Sequence, residues 1–228
     1  TWAVFGRETL PTRVYGLLGD QTINPSHEEP YAPWLSVVDA VTGWVDGSTS
    51  DPHAVAGIIV HRVNEAMGLR YDTRAGQSFY TEYRPNSYSG ARFDLTGFLE
   101  RAHGSTVNCS DCASIVSTYA NMVGCDLGYA ILTGDFPLHY IRAIGTTAFT
   151  NDPFRRGMAG GFHYHAVTTP SADGTDIFDA TLTEDGDDHP EASPFVDLVP
   201  DGLPRAQYLS HLSPRRLTIT HDDKTAIE

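Results

Sequence analysis

Cys109, His163, His165 and Asp179 are the residues of this chain whose types and spacing can do chemistry. A thiol, an imidazole and a carboxylate supply a nucleophile, a base that deprotonates it, and a group that orients the base and supports the imidazolium. The thiol is one of a pair, because Val107-Asn108-Cys109-Ser110-Asp111-Cys112-Ala113 sets Cys109 and Cys112 three apart where a helix begins. In a first helical turn, unpaired N–H groups and the positive end of the dipole favour thiolate over thiol, which places Cys109 as the nucleophile. Its own N–H is then the expected oxyanion donor, and the sequence names no side chain to assist it. The same residues admit a second chemistry. Cys109, Cys112, His163 and His165 provide two sulfur and two nitrogen ligands, a tetrahedral zinc set that would make the cluster structural. That reading puts a Cys-x-x-Cys inside a regular helix, where it is unusual, and leaves Asp179 without a role. A thioredoxin-like thiol pair lacks the expected surroundings.

The elements that must carry these residues follow from periodicity. Cys112/Ala113, Val116, Tyr119/Ala120 and Val123 form a helical stripe from about Cys109 to Val123, closed by Gly124. Cys112 and Cys125 fit ordinary buried core positions. Leu127 to Thr133 and Leu138 to Ile144 read as strands, and Gly145 to Gly161 as a connection long enough to be a mobile loop over a site. In Phe162-His163-Tyr164-His165-Ala166-Val167-Thr168 a period of two puts His163, His165 and Val167 on one face. A hairpin turn at Ser171 to Gly174 returns the chain as Ile177 to Thr181, bringing Asp179 opposite the histidine strand. Upstream, helices are expected at Trp34–Val45 and about 52–67, the second with Asp51 as N-cap, Pro52 at its first position and Gly68 as its stop. A short helix starts at Asp94. Residues 1–30 read as short strands and loops, and Tyr71–Arg92 as an ordered loop or short strands bordering a groove.

Composition sets the outer limits. A chain of 228 residues with 40% hydrophobic content can bury a real core. Its net charge of −14 argues against nucleic acid or an anionic membrane surface as the main partner. No apolar run approaches a membrane span, and the first residues lack a basic region followed by an apolar core. An odd count of three cysteines makes no disulfide framework and favours a reducing compartment such as the cytoplasm, or a functional thiol. Thr183–Asp188 is acidic but lacks the terminal glutamate of a calcium loop, and reads as a solvated acidic loop. His189, His211 and His221 read as surface residues, the tail from Thr218 as frayed, and His139 as an outlier able to line a pocket.

Cys109-Ser110-Asp111-Cys112-Ala113 resembles the Cys-x-Asp-x-Ala opening of the catalytic helix in the transglutaminase-like superfamily, which is related to papain-like enzymes. Tyr119 to Leu127 resembles the end of that helix and its entry into a strand, His165-Ala166-Val167 the His-Ala-Trp start of the histidine strand, and Phe178-Asp179-Ala180-Thr181 the Asp-Pro-Thr segment. The likeness covers about residues 105–183. It departs from the family at Val167 for tryptophan, at Ala180 for proline, and in lacking a basic residue late in the helix. The resemblance implies Cys109 as nucleophile, His165 as base in preference to His163, and Asp179 as its orienting acid. His163, Asp111 and Asn108 are expected beside the triad.

The resulting expectation is an α+β fold in which a catalytic helix packs on an antiparallel sheet. Residues 1–104 would be an N-terminal helical elaboration, and 105–228 the core and C-terminal strands. The expected activity is cysteine-dependent acyl transfer on a peptide, protein or small amide through a thioester, with hydrolysis favoured and no cofactor. An inactive binding module on the same fold is the further alternative.

Overall fold

The computed structural model describes residues 18, 34–83, 91–155, 161–171, 174–221 and 226–227. The α-helices α1 (Leu35–Val45) and α2 (Pro52–His61) come first. Asp51 caps α2 by accepting from the His53 N–H at 3.1 Å, and Pro52 occupies the position where no N–H is needed. The expected helix over 52–67 is regular only to His61. Arg62–Ala66 widens into one π-helical turn, a device that in helices often marks a functional neighbourhood.

Strands β1 (Arg70–Tyr71), β2 (Thr81–Tyr83) and β3 (Ala91–Phe93) follow, then α3 (Leu95–Leu99) and β4 (Thr106–Val107). Asp94 caps α3 through the Gly97 N–H at 2.8 Å. Next come α4 (Cys109–Asn121), β5 (Leu127–Phe136), β6 (Ile141–Ala143), β7 (Phe162–Pro170), β8 (Asp176–Phe178) and β9 (Leu182–Asp185). The chain ends with β10 (Asp197–Leu198), β11 (Asp201–Pro204), α5 (Arg205–Leu212), β12 (Ile219–His221) and β13 (Ala226–Ile227).

The architecture is α+β. Its main sheet has the order β11-β8-β7-β5-β12 with antiparallel neighbours, so β7, which carries His163 and His165, is central. Helix α4 lies against β7 and β5 and is buried along its whole length. It is enclosed further by α1 and α2, with Trp44 of α1 stacked on Tyr119 at 5.6 Å. Val41, Val55, Ile59 and Phe93 share one apolar cluster with Cys112, Val116, Leu132 and Val167, so residues on both sides of position 104 build a common core.

Several sequence expectations are corrected by pairing that local pattern does not encode. The strand read over 138–144 is only Ile141–Ala143, because β5 runs on to Phe136 before Pro137 breaks it. The returning strand ends at Phe178, leaving Asp179 just beyond it. Thr183, Glu184 and Asp185 are not in a solvated loop: β9 is held between β6 and β10 and all four of its residues are buried. The tail is not frayed over 219–221 and 226–227, where β12 joins β5 and β13 runs parallel to β3. His211 is half-buried, with Nδ1 2.7 Å from the Asp185 carbonyl oxygen, rather than a free surface residue. The reading of residues 1–30 lies, apart from Leu18, outside the described residues.

Candidate functional site

Helix α4 starts where it does because its first turn is bonded on both sides. Asn108 accepts the Asp111 N–H at 3.1 Å and Asp111 returns the bond to the Asn108 N–H at 3.2 Å, a reciprocal cap worth on the order of 1 kcal/mol. Asp111 also accepts from the Ser78 hydroxyl at 2.7 Å and from the N–H groups of Phe79 and Tyr80, both at 2.9 Å. Burial raises the Asp111 carboxyl and these bonds pull it back down, leaving it above its ordinary value. Asn108 Nδ2 meanwhile donates to the Gly76 carbonyl at 2.9 Å and to the Tyr164 hydroxyl at 3.2 Å. Asp111 and Asn108 therefore fix the helix start and tie it to the 76–80 loop.

Cys109 is the first residue of α4 and is 2% exposed. Among the described residues nothing accepts its N–H or that of Ser110, as expected for the two helical positions the cap does not reach. Cys112 points elsewhere. It is fully buried in the main core, whereas Cys109 packs with Ala91, Ala113, Tyr129, Ile131 and Ala166 in a separate small cluster. Burial first, then the charges of Asp111 and Asp179, raise the Cys112 thiol well above its ordinary value. Burial pushes Cys125 up to about 12. All three cysteines are free.

His165 is fully buried, and its Nε2 lies 2.7 Å from Asp179 Oδ2. Burial alone would lower its pKa, but the Asp179 charge and hydrogen bond, followed by Cys109, raise it to about 10. Among the described residues no group hydrogen-bonds the other, buried ring nitrogen, Nδ1, and the Cys109 side chain follows Asp179 among the causes of the raised pKa. Phe162 lies flat on the imidazole, with centroids 4.9 Å apart and planes 6° from parallel. Asp179 is itself held. Its Oδ2 accepts from the Tyr208 hydroxyl at 3.0 Å, its Oδ1 from the Thr181 N–H at 2.7 Å, and its own N–H donates to the Pro200 carbonyl at 2.8 Å. From the π-helical turn, Asn64 Nδ2 donates to the Ala180 carbonyl at 2.9 Å.

His163 does not join this group. One extra residue in β5 between Thr133 and Phe136 shifts the pairing at the start of β7 and breaks its alternation there. The His163 side chain is 71% exposed, with Nδ1 2.5 Å from Asp135 Oδ1. With His163 on the surface and Cys112 in the core, the four side chains of the zinc set do not converge, and among the described residues no group of three or more His, Cys, Asp or Glu can hold a metal. His139 lines a cleft of about 970 Å³ beside α5 with Arg205, Ser213 and Arg215, and is no part of the Cys109 site.

Sequence reasoning missed Tyr208, Tyr164, Phe162 and Asn64. Phe162 and Tyr164 carried a signal, as aromatics interleaved with the histidines of their strand; Tyr208 and Asn64 reach the site across long stretches of chain. No helix among the described residues is long and apolar enough to cross a membrane. No protein-family model, no curated protein and no solved structure matches this chain.

Proposed function

We propose that the protein is a cysteine-dependent acyl-transfer enzyme of the transglutaminase-like type, acting on an amide bond with Cys109 as nucleophile, His165 as acid and base, and Asp179 as orienting acid. The observation that carries this reading is a buried imidazole bonded to Asp179 through Nε2, with Nδ1 unbonded among the described residues and the Cys109 side chain near enough to raise its pKa, Cys109 standing at the first position of a capped helix. Each part has a chemical task. Cys109 Sγ attacks the carbonyl carbon, and the proton held on His165 passes to the leaving amine as the C–N bond breaks. The thioester that remains is attacked by water, whose proton returns to His165 as the C–S bond breaks and the acid leaves. Hydrolysis is the favoured outcome, since water is the default acceptor. The net charge of −14 suits a neutral or basic substrate.

The packing of helix α4 on β7 and β5 supports this reading, although the acid stands just past β8 rather than within it. Val167, Ala180 and the missing basic residue remain departures from the family pattern. The zinc alternative finds no support in the placement of Cys112 and His163.

The test is residue-resolved alkylation with iodoacetamide at neutral pH, followed by screening of peptide anilides. Cys109 is expected to react at least tenfold faster than Cys112 and Cys125, whose thiols burial raises. Cys109→Ala is then expected to abolish any anilide cleavage. Equal labelling of the three, or cleavage that survives Cys109→Ala, would exclude this role. Selective labelling without turnover on any amide would favour the inactive binding module.

A further inference from the structure

The acyl-transfer reading leaves one task without a side chain. A tetrahedral intermediate at Cys109 carries an oxyanion, and a helix N–H alone provides one donor for it. Tyr71 is the buried polar group near Cys109 to which the mechanism has so far given no work. It is 7% exposed.

Three separate observations bring that hydroxyl to the site. Tyr71 on β1 pairs in parallel register with Val107 on β4, two residues before Cys109, and the next N–H, of Asp72, donates to the Val107 carbonyl at 2.8 Å. The Tyr71 ring packs on Phe162, with centroids 6.3 Å apart, and Phe162 is the ring that covers His165. Finally, a Cβ at Gly76 would lie 4.0 Å from the Tyr71 hydroxyl oxygen, and the Gly76 carbonyl is the acceptor of Asn108 Nδ2. The loop between them is rigid: Asp72 accepts the N–H groups of Arg74, Ala75 and Gln77 at 3.1, 3.3 and 2.9 Å. Gly76 holds φ +67°, and a Cβ there would come within 3.0 Å of the Phe154 ring. A donor fixed in this way needs no reorganisation when charge develops.

We propose that the Tyr71 hydroxyl is the side-chain donor of the oxyanion hole, acting with the Cys109 N–H. Burial first, and then negative charge at Cys109, Tyr164, Cys112 and Asp179, raise the Tyr71 phenol well above its ordinary value, so it stays a neutral donor. Tyr164 is not equivalent, because its hydroxyl is already engaged by Asn108 at 3.2 Å and lies 3.4 Å from Ser110 Oγ.

The inference rests on the acyl-transfer reading, and the experiment separates the two. Cys109 is alkylated with iodoacetamide in the presence of increasing N-acetylglycinal. Sulfur adds to the aldehyde carbon, the carbonyl π-bond opens, and its oxygen takes the proton held by His165 or stays charged, placing that oxygen in the hole. In Tyr71→Phe the alkylation rate without aldehyde is expected to change less than about twofold, since displacement of iodide forms no oxyanion. The aldehyde concentration that halves the rate is expected to rise about tenfold or more. Tyr71→Gln, which returns a neutral donor, should fall between the two, and serves if the phenylalanine variant folds poorly. Unchanged aldehyde protection in correctly folded variants overturns the proposal while leaving the nucleophile intact. Wild-type Cys109 that reacts no faster than Cys125 removes the acyl-transfer reading itself, and the oxyanion hole with it.

Discussion

Two acidic side chains, both at 0% exposure, are treated in opposite ways by this fold. At the start of α4, Asp111 collects donors from Ser78, Phe79, Tyr80 and Asn108. On β9, Glu184 has neither oxygen hydrogen-bonded, and burial followed by the Asp179 charge raises its carboxyl well above the ordinary range. The difference teaches that burial alone does not make an acid important. A carboxyl supplied with N–H groups organises the backbone around it, and one without donors takes up a proton and behaves as a bulky neutral residue. Asp179 belongs with the first kind, since His165, Tyr208 and the Thr181 N–H all converge on it.

The sharpest way to break this comparison is at Asp179. Under the proposed mechanism Asp179→Asn lowers turnover on the order of 10³-fold or more, by removing the partner that orients and charges His165. Its pH signature is specific. His165 is raised to about 10 in the fold against an ordinary 6.5, so the stability it contributes is complete below 6.5 and is lost as pH rises through about 10. Thermal unfolding of the wild type should decline across that window, and Asp179→Asn should flatten the decline. Asp111→Ala comes next, leaving the backbone N–H groups of Phe79, Tyr80 and Asn108 without an acceptor, while the Ser78 hydroxyl keeps the Thr81 carbonyl. A loss of about 3 kcal/mol or more is expected in denaturant unfolding; a loss below about 1 kcal/mol would place Asp111 with Glu184.

Glu184→Gln is expected to change stability at pH 5 by less than about 1 kcal/mol, since the carboxyl is already protonated there. Glu184 is an acid whose pKa is raised on folding, so its cost begins as pH climbs past the unfolded value near 4.5. The glutamine variant should therefore gain on the wild type at pH 8, and equal pH profiles for the two proteins would contradict the assignment. The smallest effect belongs to His163→Ala, less than about threefold in turnover, because its ring is 71% exposed on Asp135. A loss matching that of His165→Ala would mean that the irregular start of β7 straightens in use.

What could be read in the chain beforehand divides along the same line between local and distant partners. The start of α4, the cap at Asp51 and the short helix beginning at Asp94 rest on residues a few positions apart, and these were legible. The face shared by His163 and His165 was not, because it assumes an unbroken pleat, and the break comes from an extra residue in β5, some thirty positions upstream. Glu184 and Asp185 look solvated in the string Thr183-Glu184-Asp185-Gly186-Asp187-Asp188, since composition says nothing of the β6 and β10 neighbours that cover them. Tyr208 lies on α5, beyond three further strands, and nothing next to it in sequence points to Asp179.

The flat contact of Phe162 on His165 limits how the imidazole can turn. Sliding within its own plane remains open to the imidazole, but a half-turn about its Cβ–Cγ bond would sweep the ring edge through the volume Phe162 fills. Nε2 is therefore held toward Asp179 rather than replaced there by a ring carbon. Under the proposed mechanism a ring held this way keeps Nε2 on the carboxylate and leaves Nδ1 as the nitrogen that takes up and gives back the proton.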